Sequence, residues 1–260
     1  MRIPNFNTEE GSILYSDTVG RQIAPRVGEQ LFQSLRPTLD NRPNARILDL
    51  GCGPGTLTLP IARLYPEASI LATDASPAMI QLCQSAAARE GLNNIEARVM
   101  NANHMDLDPN SFHLVVCNLA FPFFARPDES VAALREVLHP DGEVWFSVPG
   151  RETWAEFFAI AERVMGDAVR VAKPFLAKFT QSEHLPGSLR TAGFTVEERR
   201  VKLPFHFSDG PSVLSFFGQL FHLLDYAPEV LREELARAIE SAAPDGFTMH
   251  YEAVILRGIR

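Results

Sequence analysis

The feature that most limits what this chain can fold into is one run, Ile47-Leu48-Asp49-Leu50-Gly51-Cys52-Gly53-Pro54-Gly55-Thr56. A short apolar stretch over 45–50 is stopped by Gly51, as a buried strand would be. Three alternating glycines then lead into a helical pattern over 56–65. Strand, tight glycine turn and helix, in that order, is how an open α/β sheet begins. Small residues let a ligand approach the backbone closely, and a helix start aims N–H groups at it.

The rest of the chain continues the alternation. Runs rich in Val, Ile and Leu at 68–73, 95–100, 112–117 and 143–148 read as strands, with helical patterns at 76–91 and 129–138 between them. Ser76-Pro77 supplies an N-cap and an N1 proline, and Gly91 stands where a C-terminal glycine belongs. Pro140-Asp141-Gly142 reads as the turn before the fifth strand. Ahead of the glycine turn, Val19, Ile23, Val27, Leu31 and Leu35 recur at steps of four, a helical lead-in that Pro37 and Pro43 are expected to break. Beyond Pro149 the rhythm loosens, with helices expected at 153–165, 211–224 and 228–242 and strands at 195–203 and 249–259. Thr180-x-x-Glu183 reads as a capping box for a helix that ends at Gly193. The pattern predicts a parallel sheet covered by helices on both faces.

Charge and composition narrow the function. The 260 residues carry 24 Lys+Arg against 32 Asp+Glu, a net charge of -8, with no basic stripe, which argues against a nucleic-acid partner. No apolar run is long enough to span a bilayer, and residues 1–10 hold Pro4, Asn5 and two acids where an export signal needs an apolar stretch. Cys52, Cys83 and Cys117 lie far apart with no CxxC, so neither a structural metal nor a disulfide framework is expected. A reducing cytoplasm is.

Asp74, at the end of the second strand, is placed to accept both hydroxyls of an adenosine ribose. A dinucleotide site would show Gly-x-Gly-x-x-Gly, but Thr56 occupies the last position and the extra glycine comes one step early, at Gly55. Asp49 beside the turn also opposes an anionic pyrophosphate. It suits a ligand that carries positive charge.

With these residues, the chain resembles class I S-adenosylmethionine-dependent methyltransferases, in the small-molecule branch similar to the ubiquinone/menaquinone-type enzymes. The resemblance runs through Leu48 to Gly55, Ala72-Thr73-Asp74-Ala75-Ser76-Pro77-Ala78-Met79, Asn110 to Asn118 and Leu134 to Gly142, covering roughly residues 45–149. It implies a Rossmann-like, doubly wound, seven-stranded α/β sheet, mostly parallel with the last strand antiparallel. The helical lead-in (1–44), cofactor-binding core (45–149) and cap segments on the acceptor side (150–260) are expected to form one domain, 1–260. By position it implies that Gly51, Cys52 and Gly53 wrap the methionine part of S-adenosylmethionine and that Asp49 lies near its amino group. Asp74 would hold the ribose diol, and Ala75 and Met79 would pack beside the adenine. Asn101-Ala102 stands where relatives often have Asp-Ala, with the Asn101 amide oxygen expected to accept from the adenine amino group. Asn118 and Leu119 would face the cofactor from the end of strand four, and Tyr15 would close over the methionine carboxylate.

Methyl transfer from a sulfonium is an in-line displacement, so alignment supplies most of the acceleration and a base is needed only where the acceptor must lose a proton. Among His104, His206, His222 and His250, His222 is the preferred base, one turn from Gln219 in an apolar helical pattern; His113 is placed in the middle of strand four, away from the acceptor. Phe205, Phe207, Phe216, Phe217 and Phe221, with Phe121, Phe123 and Phe124 after strand four, read either as cap packing or as the wall of an apolar acceptor pocket. Arg126 and Arg151 are candidates for an acceptor carboxylate. The reading is an enzyme that methylates O, N or C of a small, largely apolar acceptor. A cofactor-binding protein that does not methylate, or an NAD-dependent oxidoreductase, stands as the alternative.

Overall fold

The computed structural model describes residues 18–166, 182–219 and 227–260, together with Gly11 and Val169. Its centre is a seven-stranded sheet in the order β3-β2-β1-β4-β5-β7-β6. The strands are β1 (Arg46–Leu50), β2 (Ser69–Asp74), β3 (Ile95–Val99), β4 (Phe112–Asn118), β5 (Leu138–Pro149), β6 (Thr195–Phe207) and β7 (Phe247–Ile259). β7 runs antiparallel to both β5 and β6, and the pairs among β1 to β5 are parallel. The chain steps outward from β1 to β3, then returns to place β4 on the other side of β1. That reversal makes a switch point at the carboxyl ends of β1 and β4, where open α/β sheets take their ligands.

The described helices are α1 (Val19–Gln22), α2 (Ala24–Asn41), α3 (Thr58–Leu64), α4 (Pro77–Glu90), α5 (Pro127–Val137), α6 (Ala155–Met165), α7 (Leu185–Thr191), α8 (Gly210–Gln219) and α9 (Glu229–Ala242). α4 is bounded as the sequence implies: Ser76 Oγ accepts from the Met79 amide at 3.4 Å, Pro77 stands at N1, and Gly91 closes the helix in the left-handed region at φ 66°. α2 differs. Pro37 does not end it; the helix runs on to Asn41. An internal proline costs about 3 kcal/mol. Leu35 and Leu39, on either side of it, are fully buried against Ile47, Val116 and Trp145, which is worth about 2 kcal/mol each. Pro37 itself faces solvent, as does Gln33, whose carbonyl loses its partner.

Two further differences have local causes. β5 begins at Leu138, so Pro140-Asp141-Gly142 lies inside a bulged strand start rather than a turn, and the register against β4 shifts between Phe112 and Leu114. A Cβ on Gly142 would stand 2.8 Å from Leu138 Cδ2 and 2.9 Å from the His139 carbonyl, so the bulge needs a glycine. His113 is the second residue of β4 rather than a mid-strand residue, and its Nδ1 accepts from the Arg46 amide at 2.9 Å. Glu183 precedes α7, but Thr180 of the expected capping box lies outside the described residues.

The aromatic residues of the second half are core. Trp154 is fully buried, with edge-on contacts to Phe205 (4.9 Å between centroids), Phe216 (5.4 Å) and Tyr251 (5.4 Å), and Phe157 stacks on Phe217 at 3.8 Å. α6, α8 and α9 use this cluster to pack on β6 and β7. Leu119 is its one described member that also reaches the cavity at the switch point.

Candidate functional site

The glycine turn after β1 is folded so that its amides point inward. Gly51 N and Cys52 N both donate to the Thr73 carbonyl of β2, at 2.8 and 2.9 Å. Gly53 N donates to Asp74 Oδ2 at 3.0 Å, Gly55 N donates to the Cys52 carbonyl at 3.0 Å, and Pro54 has no N–H. From 51 to 55 no amide is left for a phosphate, contrary to the expectation that this turn offers N–H groups to its ligand. Gly51, Gly53 and Gly55 take φ of 75°, 54° and 93°, a region that disfavours side chains.

The two carboxylates complete the electrostatics. Asp49 is buried in β1; its Oδ2 accepts from Thr58 Oγ1 at 2.5 Å, and its Oδ1 has no hydrogen-bond partner among the described residues. Burial pushes its carboxyl up to about 7, Thr58 opposes the shift, and the negative charge of Asp74 adds to it. Asp74 is half-buried at the end of β2 and its pKa is also raised by burial, against hydrogen bonds from the amides of Ser76 and Gly53. Oδ1 accepts from Ser76 N at 2.9 Å. Each oxygen of Asp74 therefore keeps a second lone pair, two sites in all, matched to a vicinal diol.

These elements line a cavity of about 180 Å³ at the switch point. Of the residues singled out from sequence, Gly51, Gly53, Asp74, Ala75, Met79, Asn101, Ala102 and Leu119 line it. Asp49, Cys52 and Asn118 stand behind its wall. Asn118 ties elements together: its Nδ2 donates to the Ala24 carbonyl at 3.2 Å and its Oδ1 accepts from Ser147 Oγ at 2.6 Å. Leu119 is held at φ 60° with its amide on Ser147, a strained non-glycine backbone beside the cavity. The Asn101 amide oxygen is already occupied by Asn103 N (2.9 Å) and Asn103 Nδ2 (2.8 Å), so its remaining polar group is its own NH₂, a donor rather than the expected acceptor. Tyr15 and His222 lie outside the described residues, as does Phe221.

Sequence reasoning missed Met100, Asn103 and Ala120 as lining residues. The Asn-x-Asn spacing signals Asn103, since an Asx turn binds the amide two residues on. Ala120 has no local signal: it faces Gly51 across the switch point, where a Cβ on Gly51 would stand 2.3 Å from the Ala120 Cβ. Gly53 meets nothing within 4 Å. Gly51→Ala is thus expected to lower the melting temperature by several degrees through that clash. Gly53→Ala should cost about 1 kcal/mol of left-handed backbone strain and act on ligand affinity; equal melting points for the two variants would contradict this. Phe123 and Phe124, expected as either packing or an acceptor wall, line the cavity as well, whereas none of the described histidine or arginine candidates borders it. His206 Nδ1 meets Thr248 Oγ1 at 2.9 Å, His250 Nδ1 meets Glu156 Oε1 at 2.7 Å, and His104 is exposed. Arg126 pairs with Glu129 at 3.1 Å, and Arg151 stands 3.9 Å from Glu183.

Residues 47–142, which carry β1, the glycine turn and Asp74, match the family described as methyltransferase domain. Over a longer stretch, the chain is 29% identical over 197 residues to a malonyl-[acyl-carrier protein] O-methyltransferase of Methylococcus capsulatus, covering 75% of this chain and 66% of that protein. It is 30% identical over 152 residues to the namesake from Halalkalibacterium halodurans, covering 57% and 55%. The chain thus spans about half to two thirds of the length of the curated relatives it matches. In fold the methyltransferase domain and its flanking segments resemble a phosphoethanolamine N-methyltransferase of Haemonchus contortus, with TM-score 0.62 at 16% identity over 98% of this chain and 59% of that one. Among the described residues no helix is long and apolar enough to cross a membrane, and no cluster of side chains could hold a metal ion.

Proposed function

We propose that the chain transfers the methyl group of S-adenosylmethionine to an oxygen of a small, largely apolar acceptor, and that this oxygen belongs to a carboxylate. The observation that carries the cofactor reading is the sign of the site. Two carboxylates and a turn with no outward amide suit a ligand with an ammonium and a sulfonium, and oppose a pyrophosphate. That favours S-adenosylmethionine over a nicotinamide dinucleotide. Asp74 would hold the ribose hydroxyls on its two remaining lone pairs. Gly51 and Gly53 would border the methionine part, with Asp49 behind them as the balancing charge. Ala75, Met79, Met100 and Ala102 would flank the base.

S-adenosylmethionine supplies an electrophilic methyl on a sulfonium that leaves as a neutral thioether. What the chain must add is alignment and dryness, which Leu119, Ala120, Phe123 and Phe124 offer as apolar walls. Among the described residues lining the cavity, Asp74 is the only one that titrates, and it is assigned to the ribose. A carboxylate acceptor fits that wall, because it arrives deprotonated and needs no base. The names of the two curated relatives support an oxygen as the target. The three cysteines, all unpaired, support a reducing cytoplasm, and the net charge of -8 opposes a nucleic-acid acceptor.

The test is an incubation with methyl-labelled S-adenosylmethionine and malonyl-coenzyme A as probe, alongside a set of apolar carboxylic acids. Label is expected in a base-labile methyl ester, with S-adenosylhomocysteine formed in equal amount. Label appearing only on hydroxyl or amine acceptors would discard the carboxylate. No transfer to any acceptor by a protein that binds S-adenosylhomocysteine would favour a cofactor-binding protein that does not methylate.

A further inference from the structure

Beneath the cofactor turn lie two thiols that the proposed reaction does not use. Cys52, on the turn between Gly51 and Gly53, and Cys83, on α4, are both buried and share one small cluster with Ala72 and Ile80. Cys52 Sγ donates to the Gly53 carbonyl at 3.4 Å, and Cys83 lies beside it in this four-residue cluster. Cys83 Sγ also presses on the turn from below, 3.1 Å from where a Cβ on Gly55 would stand. Both thiols are free. The third cysteine, Cys117, belongs to a different cluster on the other side of β1.

We infer that Cys52 and Cys83 form an oxidative modification site, a thiol pair that a peroxide converts to a disulfide and thereby disables the cofactor turn. This rests on the cofactor reading above. Gly51 and Gly53, which flank Cys52, line the cavity, and Cys52 stands directly behind that wall, so a small oxidant in the cavity is one turn residue away from the pair. The neighbouring Cys52 side chain lowers the pKa of the Cys83 thiol, which makes Cys83 the better nucleophile. Cys83 attacks one peroxide oxygen, giving a sulfenic acid and one water. Cys52 then attacks that sulfur, the S–S bond forms, and the sulfenic oxygen leaves as a second water. Two thiols are oxidised and one hydrogen peroxide is reduced. A disulfide draws the sulfurs to about 2.05 Å, closer than two free thiols stand, so the turn must shift towards α4. Gly53 moves with it and its hydrogen bond to Asp74 Oδ2 is lost.

The experiment treats the cofactor-free protein with hydrogen peroxide, maps disulfide-linked peptides by mass spectrometry under non-reducing conditions, and titrates S-adenosylhomocysteine by calorimetry before and after. A peptide joining Cys52 to Cys83 is expected, with affinity reduced tenfold or more and restored by dithiothreitol. Bound S-adenosylhomocysteine should slow the cross-link, Cys83→Ala should keep its affinity after peroxide, and Cys117→Ala should behave as the unaltered chain. No Cys52–Cys83 peptide, or the same loss of affinity in Cys83→Ala, would overturn the inference. If the reduced protein fails to bind S-adenosylhomocysteine, the cofactor reading falls, and the linked peptide still decides whether the thiols pair.

Discussion

Asp74→Ala is expected to weaken S-adenosylhomocysteine binding about 100-fold while the melting temperature falls by only a few degrees. The carboxylate keeps two lone pairs toward the cavity after accepting from Gly53 N and Ser76 N. Two charge-assisted hydrogen bonds to ribose hydroxyls are worth about 3 kcal/mol together at the lower end of their range, which is about two factors of ten in Kd. The fold loses less, because the two amides released by the substitution sit at the cavity wall, where water can reach them. Asp74→Asn retains one acceptor oxygen and should fall between. Calorimetric titration together with a thermal melt checks both halves. An affinity within threefold of the unaltered chain would remove Asp74 from the ribose, and a collapse of the melt would make it a structural residue instead.

The second large effect is in pH. Asp49 is an acid whose folded-state pKa is raised, to about 7 by burial, while the unfolded chain returns it to about 4. Between those values the folded chain holds a proton that the unfolded chain has released. The contribution is therefore fully present below pH 4 and is lost as pH rises through 7. Asp49→Asn removes the titration and keeps an oxygen for Thr58. It should match the unaltered chain near pH 4 and be the more stable of the two above pH 7. Ligand binding should run the other way. An ammonium near Oδ1 favours the ionised carboxylate, so binding at pH 6 releases a proton and S-adenosylhomocysteine affinity rises from pH 5.5 to 8. Calorimetry in buffers of different ionisation enthalpy reads the proton directly. A flat affinity profile shared by both proteins would separate Asp49 from the ligand.

What could be read from the sequence was what is decided locally. The strand, glycine turn and helix at 46–64 lie where the apolar pattern and breakers put them. Ser76, Pro77 and Gly91 bound α4 because caps and left-handed glycines act over one turn. Features set by distant partners were misread. Pro37 looks like a helix end until the burial of Leu35 and Leu39 against the sheet is known. The glycine turn looks as though its amides face the ligand until Thr73, on the neighbouring strand, is seen to take two of them. Gly51 and Gly53 look equivalent in sequence, yet only Gly51 is pressed by Ala120, which the chain brings across from the end of β4. The phenylalanines of the second half could have lined a pocket or filled a core, and their contacts with Trp154 make them core.

The most direct measurement is a calorimetric titration of the reduced, unaltered protein with S-adenosylhomocysteine, run beside one with NAD. A site built from two carboxylates and an inward-facing turn should give saturable one-to-one binding of S-adenosylhomocysteine and no heat with NAD. Tighter binding of NAD, or no binding of S-adenosylhomocysteine, would contradict the assignment of this cavity to a methyl donor.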